Sequence, residues 1–426
     1  MSAALAVAVV GLGKIGLTLA AQYASRGLSV IGCDINAALV DTINNGECPI
    51  DGEEGLEERL AIALREKRLT ATIDIVAAVA TSDVVIVIVP VGLTGGQTPD
   101  DQTPDFTHLD AAVADVARGL RPDTLVVVET TVPVGTTRGR VGKALADAGH
   151  PLLLAASPER VSSGHIFRDL RAYPKVIGAI DEASWTKAEA FYSAALEAPS
   201  LLRVRDPETA EFSKLAEGIY RDVNIALAGE LARYADAAGV DVTEVIDAAN
   251  SQPYSHLHQP GVGVGGHCLP VYPYFLPADS GTKLPLAARE INDGMAAYGV
   301  SKLEQALGSL EGATVLVLGL AYRPNVKEAS HSSALLITEA LRARGATALI
   351  HDPLYSDAEI TALGLDPVAG LPPEHTDAVI VQAWHDAYQD LDFATFSGCK
   401  VVLDGRNALN RERVEAAGVR YLGIGR

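Results

Sequence analysis

Short, almost uninterrupted apolar runs alternate with amphipathic stretches over the first third of the chain. Ala6–Val10, Ser29–Asp34, Val84–Val89 and Thr124–Glu129 are rich in β-branched residues and read as strands buried on both faces. Leu17–Arg26 and Leu109–Gly119 carry helical spacing between them. This βαβ alternation predicts a doubly wound, mostly parallel sheet. The middle of the chain changes period. Asp206 suits a helix N-cap and Pro207 the first helical position, and no proline follows before Ala238. The run is roughly 30 residues, or about 45 Å of helix. Val242–Asn250 and Leu284–Leu307 read as further helices, separated by a loop rich in Gly, Pro and His. The last stretch returns to strands at Thr314–Leu318, Ala348–His351, Ala378–Val381 and Lys400–Asp404. The expected organisation is therefore α/β at both ends, 1–203 and 311–426, around a helical middle at 204–310. The two ends look like two versions of one nucleotide-binding topology, and the middle suits a dimer interface.

Composition narrows the chemistry. Of the 426 residues 48% are hydrophobic, enough for a sizeable core. The formal net charge of −20 repels DNA, RNA and anionic lipid, so neither a nucleic acid nor a membrane is an expected partner. An anionic small substrate would need a locally basic pocket. The longest strongly apolar stretch, Val84–Val91, is far too short to span a bilayer. The N-terminal residues lack a basic region and run straight into a glycine motif, which reads as a first strand and not as a signal peptide. Cys33, Cys48, Cys268 and Cys399 are scattered without metal-like pairing, so no metal is expected, disulfide scaffolding is disfavoured and a cytoplasmic location is the default.

Gly11-Leu-Gly13-Lys14-Ile15-Gly16 follows the first strand and opens a helix. The first glycine permits a tight turn, the second lets a pyrophosphate approach the backbone, and the third lets helix and strand pack closely. The helix N-terminus faces the phosphates. Asp34 ends the second strand, where a carboxylate accepts from a ribose diol and repels a 2′-phosphate, favouring NAD over NADP. The expected cofactor-binding residues are Gly11, Gly13, Lys14, Ile15, Gly16 and Asp34, with Lys14 facing solvent.

A second segment carries chemistry: Gly261-Val-Gly-Val-Gly-Gly-His-Cys268-Leu-Pro-Val-Tyr-Pro-Tyr-Phe275. Glycines allow backbone and ligand to come close to a sulfur. Most free cysteines are small buried hydrophobes, and Cys33 and Cys399, in or beside strands, fit that description. Cys268 does not, because its surroundings are not a core strand. His267 points away from its neighbour in an extended chain, and a loop-shaping role is as compatible with it as that of a base.

In these residues and others, the chain resembles the nucleotide-sugar 6-dehydrogenases over essentially its whole length. That family includes the UDP-glucose, UDP-N-acetylmannosamine and UDP-N-acetylglucosamine dehydrogenases. The markers are GLGKIG (11–16), TTVPVGTT (130–137), SPERV (157–161), TAEFSKLAEGIYRDVNIALAGELA (209–232), GVGGHCLPV (263–271), GLAYRPNVKE (319–328) and DGRN (404–407). SPERV, YRDVNIA and YRPNVKE look more like the N-acetylhexosamine branch. The resemblance implies two Rossmann-like doubly wound domains joined by a long central helix, usually as a homodimer. NAD binds the first domain, and a UDP-linked sugar binds towards the second. It implies oxidation of the sugar C6 alcohol to a carboxylate through a thiohemiacetal and a thioester on Cys268. Carried over by motif position, Lys214 stabilises the developing oxyanion, Thr131 holds water or the C6 oxygen, and Glu159 contributes to acid–base or water handling. Arg323 lies where the family has a basic residue near the substrate. Gly265 and Gly266 give the substrate access, and Arg406 sits in the GRN turn as a candidate structural ion pair.

The chain departs from the family at informative places. The residue four after the helical lysine is normally Asn, a second oxyanion donor, and here is Gly218. The residue four after the cysteine is normally Asp and here is Tyr272, a poor base at neutral pH. The family's cofactor-contacting Arg is replaced at Ser330, and the branch's usual substrate-loop Arg aligns with Tyr254. Three functions stay open on the sequence alone. One is a dehydrogenase that forms the acid. A second is a re-purposed enzyme that stops at the aldehyde or uses NAD in a redox-neutral step. The third is a non-catalytic protein that binds NAD and a nucleotide sugar.

Overall fold

The computed structural model describes residues 5–94, 102–197, 200–277, 280–368 and 370–426. It divides into two compact units. One holds the chain through Glu217 and a short return segment from Tyr274, and the other holds Gly218–Pro273 and the remainder to Arg426.

In the first unit, Ala6–Val10 lies between Ser29–Cys33 and Val84–Val87, paired parallel with both, with Val7 opposite Val30 on one side and Val84 on the other. Leu69–Thr72 extends one edge and Leu125–Val128 then Leu154–Ala156 the other, all parallel. Lys175–Ala179 joins antiparallel to Leu154–Ala156, and Leu201–Val204 follows it, making eight strands. The inner strands are buried on both faces because helices cover them, which is why they read as unbroken apolar runs.

The second unit repeats the plan. Thr314–Leu318 is flanked by Thr347–His351 and Ala378–Val381, with Asp366–Pro367 beyond the former and Val401–Asp404 and Arg420–Gly423 beyond the latter. Counted along the chain, both sheets share the order 3-2-1-4-5-6 over their first six strands. The expected α/β class, with two doubly wound domains and a long helix, is what the structure contains.

The long helix runs Pro207–Ala238, capped by Asp206, whose carboxylate accepts from the Thr209 amide at 2.9 Å. Its C-terminal half is not a separate body. Ala232 and Ala235 pack in one apolar core with Met295, Val300 and Leu303 of the helix Leu284–Leu307 and with strand residues Val315 and Ile380. Several boundaries differ from the pattern. The first helix starts at Lys14, three residues before the apolar periodicity begins, because Gly13 is its N-cap. The second strand stops at Cys33, one residue before Asp34. No helix among the described residues is long and apolar enough to cross a membrane.

Candidate active site

The glycine turn of the first unit has the geometry its spacing demands. Gly11 has φ +103°, and a Cβ there would lie 2.6 Å from the Ile88 carbonyl oxygen. A Cβ on Gly16 would lie 1.9 Å from the Gly11 carbonyl oxygen, so that glycine serves helix–strand packing. Gly13 is exposed and a Cβ on it would meet nothing within 4 Å, leaving the open approach a pyrophosphate needs. Asp34 braces the turn by accepting from the Leu12 amide at 2.8 Å, and it remains partly exposed for a ribose. Lys14 and Ile15 are half-buried, so Lys14 is less open to solvent than its place in the motif suggests. These residues fit a dinucleotide.

Beyond the strand Leu125–Val128, the TTVPVGTT loop carries Thr131, which is buried. The loop is fixed by a residue the sequence reading did not single out. The buried Glu211, one turn into the long helix, accepts from the amides of Gly135 at 2.6 Å and Thr137 at 2.7 Å. Burial raises the Glu211 carboxyl above its ordinary range against those hydrogen bonds. Lys214, one turn further on, is half-buried.

Glu159 follows the strand Leu154–Ala156. Its Oε1 accepts from the amides of Arg160 (2.7 Å) and Val161 (3.2 Å), and its Oε2 from the Lys175 ammonium at 2.6 Å. Lys175 also donates to Glu129 at 2.9 Å, and Glu129 accepts from the Tyr23 hydroxyl at 3.2 Å and from the Tyr192 hydroxyl. Glu129 and Lys175 were not among the expected site residues. Their signal in the sequence is a charge set into an apolar strand, at the end of LVVVE and the start of KVIGA.

The second unit holds the cysteine loop, and there the glycines have a visible reason. A Cβ on Gly265 would lie 2.7 Å from both the His331 carbonyl oxygen and Tyr322 Cβ, and one on Gly266 would lie 3.1 Å from the Tyr322 ring. The loop is pressed against the segment from Tyr322 to Ser332. Gly266 donates its amide to the Ser330 carbonyl at 2.8 Å. The His267 Nε2 lies 3.0 Å from Glu328 and 3.2 Å from the Ser330 hydroxyl, a loop-shaping arrangement. Burial raises the Glu328 carboxyl, but the hydrogen bonds from His267 and Ser330 outweigh it and bring it to about 2. Arg406 is no ion pair: its guanidinium donates to the carbonyls of Gln382 (2.6 Å) and Gly263 (3.0 Å), clamping the loop, and burial lowers it to about 10.

Cys268 is half-buried in this loop, and its carbonyl accepts from Tyr272 at 2.9 Å in a turn directly after the sulfur. Tyr272 is half-buried beside Gly218: a Cβ on that glycine would lie 3.8 Å from the tyrosine ring. Arg323 lies with its guanidinium carbon 5.7 Å from the Tyr322 ring centre. Tyr254 is 91% exposed, a position open to a ligand but without a charge. By contrast, burial pushes the Cys33 thiol up to about 12 and the Cys399 thiol to about 11, leaving both inert. Among the described residues no cluster could hold a metal ion.

The second unit's counterpart of Asp34 is used differently. Asp352 accepts from the amides of Leu320 (2.7 Å) and Ala321 (2.8 Å) and lies 3.0 Å from the His385 Nε2, wholly buried. That carboxylate is sealed by protein donors and offers nothing to a ribose.

Comparison with known proteins agrees along the whole chain. Models of the UDP-glucose/GDP-mannose dehydrogenase family match as its NAD binding domain over residues 5–196, its central domain over 208–293 and its UDP binding domain over 316–411. A UDP-N-acetyl-D-mannosamine dehydrogenase of Pyrococcus horikoshii is 34% identical, with 99% of each chain covered. The solved structure of a UDP-D-ManNAc dehydrogenase from the same organism superposes with a TM-score of 0.87 at 32% identity, again over 99% of both chains. An NDP-N-acetyl-D-galactosaminuronic acid dehydrogenase of Ralstonia solanacearum is 32% identical over 96% of this chain and 97% of its own.

Proposed function

The chain belongs to the UDP-glucose/GDP-mannose dehydrogenase family, and from that premise we propose that it oxidises the C6 alcohol of a UDP-linked N-acetylhexosamine to the carboxylate through a thioester on Cys268. The protein is an NAD-dependent nucleotide-sugar dehydrogenase acting on CH–OH. The N-acetylhexosamine follows the names its relatives carry. NAD and nucleotide sugars are cytoplasmic metabolites, and the reading puts the enzyme there.

One observation carries the proposal: Cys268 sits half-buried on a glycine loop that Arg406 clamps and that is pressed against Tyr322, whereas Cys33 lies wholly buried in a strand. When bound, NAD supplies the hydride acceptor. The protein's own part lies between and after the two oxidations. The Cys268 thiolate adds to the C6 aldehyde, forming a C–S bond and a thiohemiacetal. Oxidation of that adduct gives a thioester, which water cleaves to release the acid and the thiolate. Lys214 supplies positive charge for the oxygen that becomes anionic in both additions. Thr131 and Glu159 hold the C6 oxygen and the water, and Arg323, Tyr254, Gly265 and Gly266 line the sugar nucleotide.

Gly218 and Tyr272 favour a second reading, in which the reaction ends at the aldehyde. The side chain that would add an oxyanion donor is missing at Gly218, and Tyr272 lies beside the empty position. A single assay separates the two. The protein is incubated with NAD and a panel of nucleotide sugars, and NADH per sugar is read together with product mass. The expected result is two NADH, a product that has lost two hydrogens and gained one oxygen relative to the substrate, and a Cys268→Ser variant arrested before the acid. One NADH with an aldehyde product, unaffected by Cys268→Ser, establishes the second reading. Binding without turnover on any sugar removes both.

A further inference from the structure

The first unit buries three charges in a row. Side-chain exposure falls from 10% at Glu159 to 6% at Lys175 and zero at Glu129. Two carboxylates share one ammonium, and each is completed by different donors. Glu159 has the backbone amides of Arg160 and Val161, and Glu129 has the hydroxyls of Tyr23 and Tyr192. The Glu159 amide also donates to the Glu129 carbonyl at 3.0 Å, tying the two loops together. Lys175 lies 5.2 Å from the centre of the Tyr192 ring, so its ammonium is walled by an aromatic face as well. Ionised groups are retained in so dry a place only with paired charges and full hydrogen bonding.

We propose that Lys175 and Glu129 are a positioning pair for Glu159: Lys175 keeps the Glu159 carboxylate ionised and fixed, and Glu129, sealed behind it, holds Lys175 in place. Glu159 is then an orienting anion for water or substrate and not the proton acceptor near neutral pH. This rests on the reading that Glu159 serves the reaction, and it adds how the protein controls that residue. A carboxylate already accepting three N–H bonds is a weak base. The cluster's electrostatics agree. Burial raises Glu159, yet Lys175, the Arg160 amide and the nearby Lys214 outweigh it and leave it below its ordinary value. Glu129 goes the other way: burial raises it, Glu159 adds to the rise, and Lys175 opposes without cancelling it. Of the two carboxyls, Glu129 is therefore the one that takes a proton first as pH falls. Tyr23 and Tyr192 are raised by burial and by Glu129, so they stay neutral donors. Of the further charges at the loop, Arg160 and Glu217 pair at 2.8 Å, and the buried Asp169, which lines the same crevice as Glu159 and Lys175, accepts from the Ser162 amide at 2.9 Å and pairs with Arg168 at 2.8 Å.

The test reads Glu159 directly and does not need turnover. The full protein is labelled at glutamate Cδ with carbon-13, Glu159 is assigned by its loss in Glu159→Gln, and the resonance is titrated. In the wild type it should titrate below the ordinary glutamate range. Lys175→Met should raise it by about one to three pH units, as expected for loss of an adjacent cation. Lys175→Arg should restore most of the shift; Glu129→Gln keeps an acceptor for Lys175 and should not raise the titration, whereas Glu129→Leu removes that acceptor and should. A wild-type Glu159 that titrates in or above the ordinary range overturns the proposal. So does a Lys175→Met variant, folded by circular dichroism, in which the titration stays put. The acid limb of kcat/KM is measured alongside. If the resonance moves and the limb does not, the positioning pair stands and the catalytic reading of Glu159 falls.

Discussion

Gly218 is the residue whose chemistry departs furthest from its surroundings. It lies inside a 32-residue helix, one turn after Lys214, where glycine costs about 1 kcal/mol against alanine. A Cβ there would meet the Tyr272 ring at 3.8 Å and the Leu269 side chain at 4.0 Å, both ordinary contacts. Alanine therefore fits, and Gly218→Ala should raise stability to urea by about 0.5–1 kcal/mol with an unchanged m-value. Asparagine is longer and reaches into the space of the ring. Gly218→Asn alone should be destabilising, and Gly218→Asn with Tyr272→Asp should recover most of that loss. The expected coupling in a double-mutant cycle is about 1 kcal/mol or more, because the two side chains compete for one volume. Additive effects would show that the two side chains do not compete for that volume.

At the level of elements, the cysteine loop has no regular structure before a single 3-10 turn at Tyr272–Phe275 and is held by side chains from the segments it lies against. Glu328 is one such tie. Its carboxyl falls from an ordinary 4.5 to about 2, so its contribution is fully present above the unfolded value and is lost as pH drops through the folded one. Taken whole, that shift is worth about 3 kcal/mol. Partial exposure and screening by solvent reduce it to about 1 kcal/mol. Glu328→Gln should therefore be less stable than the wild type by about that much at pH 7, and the gap should close between pH 4.5 and 2, read by urea unfolding across that range. A gap that persists at the acid end points to lost packing instead. Ties of this kind are not legible in sequence, since His267, the neighbouring pair Glu328 and Ser330, and Arg406 come from three distant parts of the chain. What was legible follows from local patterning. Ala6–Val10, Val242–Asn250, Leu284–Leu307 and Thr314–Leu318 were expected with the bounds they have, because continuous β-branched runs or unbroken helical spacing declare themselves. Leu154–Ala156 is short and ends in alanines, and Lys175–Ala179 opens on a lysine, so neither reads as a strand. The glycine turn was legible to the residue because its function is built from local backbone. The Glu159–Lys175–Glu129 row was not, because its members come from three separate segments.

At the scale of the whole molecule, the long helix offers a surface for self-association. Tyr220, Leu227 and Tyr234 recur at seven-residue intervals, which keeps them on one face, and they are 55%, 45% and 73% exposed. A repeated apolar stripe on a helix otherwise packed by its alanines is the pattern of a face that meets another helix. We expect a homodimer through this stripe. Each chain carries a net charge of −20, so two copies repel at long range while the stripe attracts at contact. Added salt shortens the reach of the repulsion to about 10 Å at 0.1 M and leaves the apolar contact intact. Dimerisation should therefore strengthen from low to moderate ionic strength, the opposite of an interface built on ion pairs. Analytical ultracentrifugation over a salt series measures it directly. Leu227→Glu adds a charge at the centre of the stripe and should give a monomer at every salt concentration, with its circular dichroism unchanged because position 227 is already open to solvent. A Leu227→Glu protein that dimerises as well as the wild type, or a dimer that weakens with salt, assigns the contact to another face and leaves the stripe without a partner.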